Sequence, residues 1–386
     1  MYKWIIVGGG IQGCTIAVQL LQAGKVSTQE LLIIDPYSRP MHKWLSLTEK
    51  IGMTYLRSPF VHHMDTRPFA LKDFAEKNDY TKPFLGRYKR PQLQLFNDHC
   101  KSLFDQLHIT KSWHQATVRQ LKSVGTNAWS VETDQNTFTT ERVVLAMGVN
   151  DNPYWPGWAI EAKSHYPKKV SHLFTENSPP PSSVCVVGGG LTAAHMAVLL
   201  CENPGVEKVT LIKRHDFRVH DFDSDPGWLG PKYLNNYHKI ISLPERRATI
   251  KEARNRGSIP REMFLKLKRL EADGSLKCID DEIQDVSTHL ANPLLHFKRN
   301  QSESFEGIYL ATGSAQGLPE EIWLKHVIDR ESLQCADCGF PIVTKQLEWK
   351  KGLHVAGPLA ELEIGPVSRN ISGARKAAAI LSSISI

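Results

Sequence analysis

A chain of 386 residues, 41% apolar and 23% charged, can bury two cores and has the composition of a globular enzyme, not of a disordered or fibrous protein. Its formal charge of +7 comes without a long Lys/Arg block, so nucleic acid is not indicated, and the densest basic stretch, KLKRLEADG, reads as a solvated helix face. No apolar run approaches the roughly 20 residues a membrane helix needs, and MYKWIIVGGG shows no secretory pattern, so a cytoplasmic location is expected.

In chain order, KWIIV (3–7) is a short β-branched strand that stops at Gly8. A helical pattern follows through Ile11, Ile16, Ala17, Leu20 and Leu21 and closes at Gly24, and LLIIDP (31–36) is a second buried strand. Residues 36–110 lose this regularity and read as an excursion over a ligand site, ending in a helix from about 91 to 107. ATVRQLKSV, AWSVETD and TFTTERVVLAMG form an antiparallel meander returning to the sheet. DNPYWPGW (151–158) is turn-rich and ENSPPPSS (176–183) is a proline linker, with a boundary between them. A second strand–helix–strand unit then opens with SVCVV. Residues 226–272 read as helical and basic, 277–310 as a second meander, and the chain closes with the strand GLHVAG and the helix SGARKAAAIL. The two halves follow one plan, a weak internal duplication.

The first motif is Gly8-x-Gly10-x-x-Gly13 at a strand-to-helix junction. Gly8 permits the turn, Gly10 lets backbone approach a pyrophosphate, and Gly13 lets helix pack on strand, while the helix N-terminus offers its N–H groups to phosphate. Asp35 ends the second strand, where an acid takes ribose hydroxyls. The second motif is Gly188-x-Gly190-x-x-Ala193, and its second strand ends in Lys213 and Arg214 instead of an acid. Basic residues there pair with a 2′-phosphate, which favours NADPH over NADH; solvated strand-end residues are the alternative. Two such sites in one chain suit a resident FAD and a transient NADPH, with a hydride passing between them directly. A mild positive charge suits such polyanions.

On these residues the chain resembles the flavoproteins with two dinucleotide-binding domains, over almost its whole length. The resemblance implies an α/β fold with two Rossmann-like domains of three-layer ββα type, the NADPH domain inserted in a discontinuous FAD domain. The expected division is 1–165 and 310–386 for FAD and 166–309 for NADPH. It further implies that Ala311-Thr312-Gly313, and degenerately Ala146-Met147-Gly148, form turns between domains. The closing segment HVAGPLAELEIGPVSRNISGARKAAAI would pass the flavin ring, bringing Gly357, Asn370, Ile371 and Gly373 to it; Gly357-Pro358 stands where many relatives have Gly-Asp. YPKKVSHLF resembles the F-x-G-x-x-x-H stretch of flavin-containing monooxygenases at Tyr166 and His172, with Lys168 in place of glycine. The order of MTYLRSPF (53–60), RPQLQLF (90–96) and the second fingerprint is similar to the N-hydroxylating monooxygenases of lysine and ornithine. That resemblance implies oxygenation of a small amine or amino acid through a flavin C4a-hydroperoxide. An NADPH-dependent reductase of a disulfide or quinone, or a non-catalytic redox sensor, stays open.

The remaining candidates are weaker. Cys335-x-x-Cys338 reads as ordinary loop thiols ahead of a redox pair or a metal site, and the seven cysteines as reduced thiols. HDFDSDPGW (220–228) alternates acids like a calcium loop, but Pro226 and Lys232 occupy positions that need Gly and Glu, so no metal is expected and the stretch reads as an ordered loop beside the nicotinamide-side cleft. His62, His63 and His195 are candidate acid–base groups, and Arg57 and Arg90 could meet flavin or substrate anions; each has a purely structural alternative. A small-molecule substrate is the expected partner, and a homo-oligomer stays open.

Overall fold

The computed structural model describes residues 1–148, 152–175, 179–315, 317–319 and 321–384. The start of the turn-rich stretch, Asp151, and residues 176–178 of the proline linker lie outside the described residues.

The apolar run at the N-terminus forms β1 (Tyr2–Val7), followed by α1 (Ile11–Gln22) and β2 (Leu31–Asp35). Helix α2 (Leu93–Gln106) ends the excursion, two residues inside the expected start. The meander forms antiparallel strands at 118–124 and 128–133 and then β3 (Thr137–Leu145). β3 turns back into the sheet and pairs with β1 in parallel, Leu145 opposite Val7. After β4 (Val170–His172), the second unit is β5 (Ser183–Val187), α3 (Leu191–Cys201) and β6 (Lys208–Lys213), joined by β7 (Leu276–Asp280) and β8 (Gly307–Leu310). The chain closes with β9 (Leu353–Val355), parallel to β3, and α4 (Ile371–Ser382).

Two sheets result. The first runs 348–350, β9, β3, β1, β2, 113–115, and the second runs β7, β6, β5, β8, β4 with every pairing parallel. Strands of the first sheet come from both ends of the chain, while those of the second all lie within 170–310. β1, β2 and β5 are almost wholly buried apolar strands, as a parallel sheet covered on both faces requires. The first core packs β1 to β3 and β9 against α1 and α4, with Trp4, Ile6, Ile16, Leu20, Ala377 and Leu381 buried. A separate core joins β5 and β6 to α3 through Val184, Val186, Ala194, Ala197 and Leu211.

The duplication extends to single hydrogen bonds. Gly8 N–H donates to the Ile34 carbonyl and Gly188 N–H to the Ile212 carbonyl, both at 2.9 Å. Ala146 N–H donates to Val7 at 2.8 Å and Ala311 N–H to Val187 at 2.9 Å. Gly8 (φ +105°) and Gly188 (φ +152°) take backbone that L side chains rarely adopt, and a Cβ would lie 2.8 Å from Ala146 O and 2.6 Å from Ala311 O. Several helices escaped the sequence pattern, among them Gly157–His165, which starts inside the turn-rich stretch after Pro156. No described helix is long and apolar enough to cross a membrane.

Candidate functional site

Both fingerprints open onto one cleft of about 2020 Å³, to which the two sheets and the C-terminal segment all contribute. α1 starts at Gly10 and α3 at Gly190, each in extended backbone with no capping side chain, so their first-turn N–H groups face the cleft. α4 starts in the same way at Asn370. Gly8, Gly10, Asp35, Gly188, Gly190, Lys213, Arg214, Gly313 and Asn370 line this space together.

Asp35 is fixed before any ligand arrives. Its Oδ2 accepts from Gly9 N–H at 2.6 Å and its Oδ1 from Tyr37 N–H at 2.9 Å. Burial pushes its carboxyl pKa upward while those two N–H groups pull it back. Beside it Tyr37 stacks on His42 at 4.3 Å, and Ala116 to Val118 close the end of the cleft.

An FAD fits this end on three observations. The α1 amides are open, a Cβ on Gly10 would meet no protein atom within 4 Å, and Gln12 Oε1 and Asn370 Oδ1 are buried without a hydrogen-bond partner. Gln12 Nε2 donates to Ser368 O at 3.0 Å, so the glutamine turns its carbonyl oxygen away from that contact. Gln12 and Asn370 would hold the flavin, and the α1 N-terminus its pyrophosphate.

Four sequence candidates stand behind the cleft wall. A Cβ on Gly13 would lie 1.8 Å from Gly8 O, and one on Gly373 would lie 2.1 Å from Val367 O, so both glycines permit backbone contact. Gly357 packs on Gln12, and Ala193 is fully buried.

The second cradle differs at its strand end. Lys213 is buried, ion-paired with Asp280 of the neighbouring strand β7, and lies over the Phe217 ring at 4.6 Å. Arg214 is exposed at the cleft, as is Arg218. The turn R-N-R-G at 254–257 adds Arg254 and Arg256 to the same wall, and Arg369 comes from the segment before α4. The Arg-Asn-Arg-Gly turn is the signal for Arg254 and Arg256, but their partners are remote in sequence.

Arg57 makes a clamp. Its guanidinium donates to the carbonyls of His220 (2.7 Å), Asp221 (3.2 Å), Phe222 (2.8 Å) and Ser258 (3.3 Å), and to Ser258 Oγ (2.8 Å). Arg90 pairs with Glu262. Both arginines therefore tie the excursion to the segment that carries the second sheet. The 220–228 loop they hold lies against the cleft through Phe222, Asp223, Ser224 and Pro226. Two of its three acids are engaged locally: Asp223 pairs with Arg254 at 3.2 Å, and Asp225 accepts from Gly227 N–H at 2.7 Å.

The histidines separate. His62 lines the cleft, whereas His63 and His195 are buried away from it, and burial holds all three at a pKa of about 4. His172 on β4 shares a 3.1 Å hydrogen bond with Thr312 Oγ1, which donates to Tyr154 O at 2.5 Å. Cys335 is half-buried and Cys338 exposed, and neither they nor any other cysteine lines the cleft among the described residues. Burial raises the pKa of the Cys335 thiol, opposing thiolate formation.

Two fingerprint turns, two parallel sheets and one shared cleft define a protein with paired dinucleotide cradles. The sequence profile of the pyridine nucleotide-disulphide oxidoreductases matches residues 5–258, and the chain belongs to that family. No curated protein sequence matches it. Its fold is that of several solved flavoenzymes. These include ornithine N-hydroxylase of Kutzneria sp. 744, solved with reduced FAD, NADP⁺ and L-ornithine (17% identity, TM-score 0.77, covering 99% of this chain and 98% of that one). L-lysine 6-monooxygenase of Pseudomonas syringae matches at 17% identity and TM-score 0.74, with 99% and 98% covered. The FAD-bound cadaverine monooxygenase of Erwinia amylovora matches at 15% and 0.72, with 99% and 93% covered.

Proposed function

We propose that this protein is an FAD-dependent, NADPH-using monooxygenase that hydroxylates the nitrogen of a small amine or amino acid. Amine, O₂, NADPH and a proton give hydroxylamine, water and NADP⁺. The observation that carries the reading is that both cradles share one cleft lined by no cysteine among the described residues, so electrons can pass between bound dinucleotides without a protein thiol. The structural neighbours that act on ornithine, lysine and cadaverine support it. In this reading residues 1–165 and 310–386 hold FAD and 166–309 hold NADPH.

The flavin, when bound, supplies the redox chemistry, accepting hydride and transferring one oxygen atom of O₂. The chain's part is to bind and to exclude water. Gly8 to Gln12 and Asp35 would hold the FAD pyrophosphate and ribose, and Gln12 and Asn370 the ring. Gly188 to Thr192 would hold the NADPH pyrophosphate, and Arg214 its 2′-phosphate. Trp44, Leu47, Met53, Leu56, Phe222 and Leu229 line part of the cleft with apolar surface, which suits a water-sensitive reaction.

The test is oxygen uptake by the purified yellow protein with NADPH and L-lysine, L-ornithine or cadaverine. Amine-dependent uptake with hydroxylamine formed in step with NADPH supports the reading. Turnover only with a disulfide or quinone under nitrogen would replace it with a reductase.

A further inference from the structure

The excursion of the first part meets the 220–228 loop of the second along one seam of the cleft, and the two sides are held unequally. On the loop side Phe222 is fixed by its backbone, its carbonyl accepting from Arg57 Nη2 at 2.8 Å and from Asn255 Nδ2 at 3.0 Å. The turn that supplies Asn255 packs on the second cradle, where a Cβ on Gly190 would lie 3.3 Å from Gly257 Cα. On the excursion side a hairpin pairs Phe84–Leu85 with Arg90–Pro91. Its base is anchored: Leu56 N–H donates to Pro91 O at 2.9 Å, Phe60 N–H to Lys89 O at 3.1 Å, and buried Arg90 pairs with Glu262. Its tip stands clear, with Gly86, Arg87 and Tyr88 all exposed.

Tyr88 and Phe222 meet across the seam edge to face, with ring centroids 4.7 Å apart and planes at 65°. Both rings line the cleft while Tyr88 is 38% exposed, so the pair stands at the rim with one ring from each part of the chain. A pair of this kind shifts an open–closed equilibrium by only about two- to tenfold. The charge-assisted bonds of Arg57 and Arg90 behind it are stronger. The seam therefore parts first at the ring pair, and a swing of the tip about Gly86 (φ +67°) opens the rim without moving either sheet.

We infer that Tyr88 and Phe222 form an aromatic latch that gates NADPH and NADP⁺ traffic at the second cradle, an inference that rests on the coenzyme reading of that cradle. Phe222 is the fixed half and Tyr88 the half that moves. Entry and exit need the same opening, so a gate slows both and leaves affinity nearly unchanged. A residue that simply touches the coenzyme acts on release and on affinity.

The experiment is rapid mixing of NADP⁺ with the oxidised, FAD-loaded protein, followed through the flavin absorbance, which yields association and dissociation rate constants. Tyr88→Ala should raise both by about fivefold and change Kd by less than about twofold. Phe222→Ala should do the same, and the double variant should exceed neither single by more than about twofold, because the two rings act as one pair. Tyr88→Phe keeps the ring and should keep the wild-type rates. Thermal unfolding of each variant checks its fold. A rise in dissociation rate and Kd with association unchanged makes Tyr88 a coenzyme contact and overturns the latch. So do unchanged rates in Tyr88→Ala, or effects of the two rings that multiply in the double variant. If the wild type does not bind NADP⁺, the coenzyme reading falls and the latch with it.

Discussion

The first and second cradles share their turn, their strand partners and their open helix ends, and part ways in how their selective residues are held. Asp35 is fixed by two backbone N–H groups at the mouth of the first cradle. Lys213, its positional counterpart, is turned inward onto Asp280 and leaves Arg214 as the exposed cation. The third fingerprint position differs as well. Gly13 lets α1 press against Gly8 O, where any Cβ would collide at 1.8 Å, whereas Ala193 buries its methyl group in the second core. The first cradle is a tight, pre-set socket suited to a resident ligand. The second is ringed by arginines, Arg214, Arg218, Arg254 and Arg256.

Exchanging residues between the equivalent positions tests that contrast most strongly. Gly13→Ala should abolish FAD retention, seen as loss of the bound flavin's visible absorption, because backbone must move to admit the methyl group. Ala193→Gly should cost only about 1 kcal/mol of stability and leave FAD bound. If both variants stay yellow, the first socket is not tight in the way its geometry suggests.

Arg57 joins the two regions, so Arg57→Ala should come next in size. It strands four carbonyls and a hydroxyl and should cost about 3 kcal/mol or more, read as a lower Tm and faster proteolysis in the 220–228 loop. An unchanged loop would mean that the clamp is incidental.

Acid should loosen both regions together. His63 and His99 on the first side and His172 and His195 on the second are buried, each with a pKa lowered to about 4 from an ordinary 6.5. The unfolded chain therefore binds more protons between those values. Stability is full above pH 6.5 and falls as the pH drops toward 4, each imidazole contributing a loss of up to about 1.4 kcal/mol for every pH unit crossed in that window. Denaturant melts at pH 7.5 and 5 measure the loss; equal midpoints would refute it.

The smallest effect concerns the coenzyme phosphate. Arg214→Ala should raise KM for NADPH about tenfold and barely alter that for NADH. Lys213→Ala should instead lower Tm, since it removes the buried partner of Asp280. The reverse assignment would return the phosphate contact to Lys213.

Local pattern was enough for the glycine turns, the buried strands and the first meander, because each is written in consecutive residues; of the expected second meander at 277–310 only 283–304 is antiparallel, while 276–280 and 307–310 join the parallel sheet. What escaped depends on partners far apart in the chain. Lys213 meets Asp280 only because β6 and β7 are neighbours, and Arg57 finds its acceptors at 220–222 and 258. Gly373 lets the backbone at Val367 come close, a contact that its place in SGARKAAAIL does not announce. Gln12 occupies a variable position of the first motif, and nothing in its spacing announced an oxygen left without a donor. The helix at 157–165 hid behind two prolines and two tryptophans that read as a turn.

The origin of the first sheet's strands sets an order of assembly during synthesis. The second sheet is complete once residue 310 has been made and can pack on its own helix while the ribosome is still working. The first sheet waits for Leu353–Val355 to add to Thr137–Leu145, and α1 waits for Ile371–Ser382 to cover it. A nascent chain stopped before that point carries a finished second unit and a first unit with an open strand edge. The first cradle is thus among the last parts of the molecule to close.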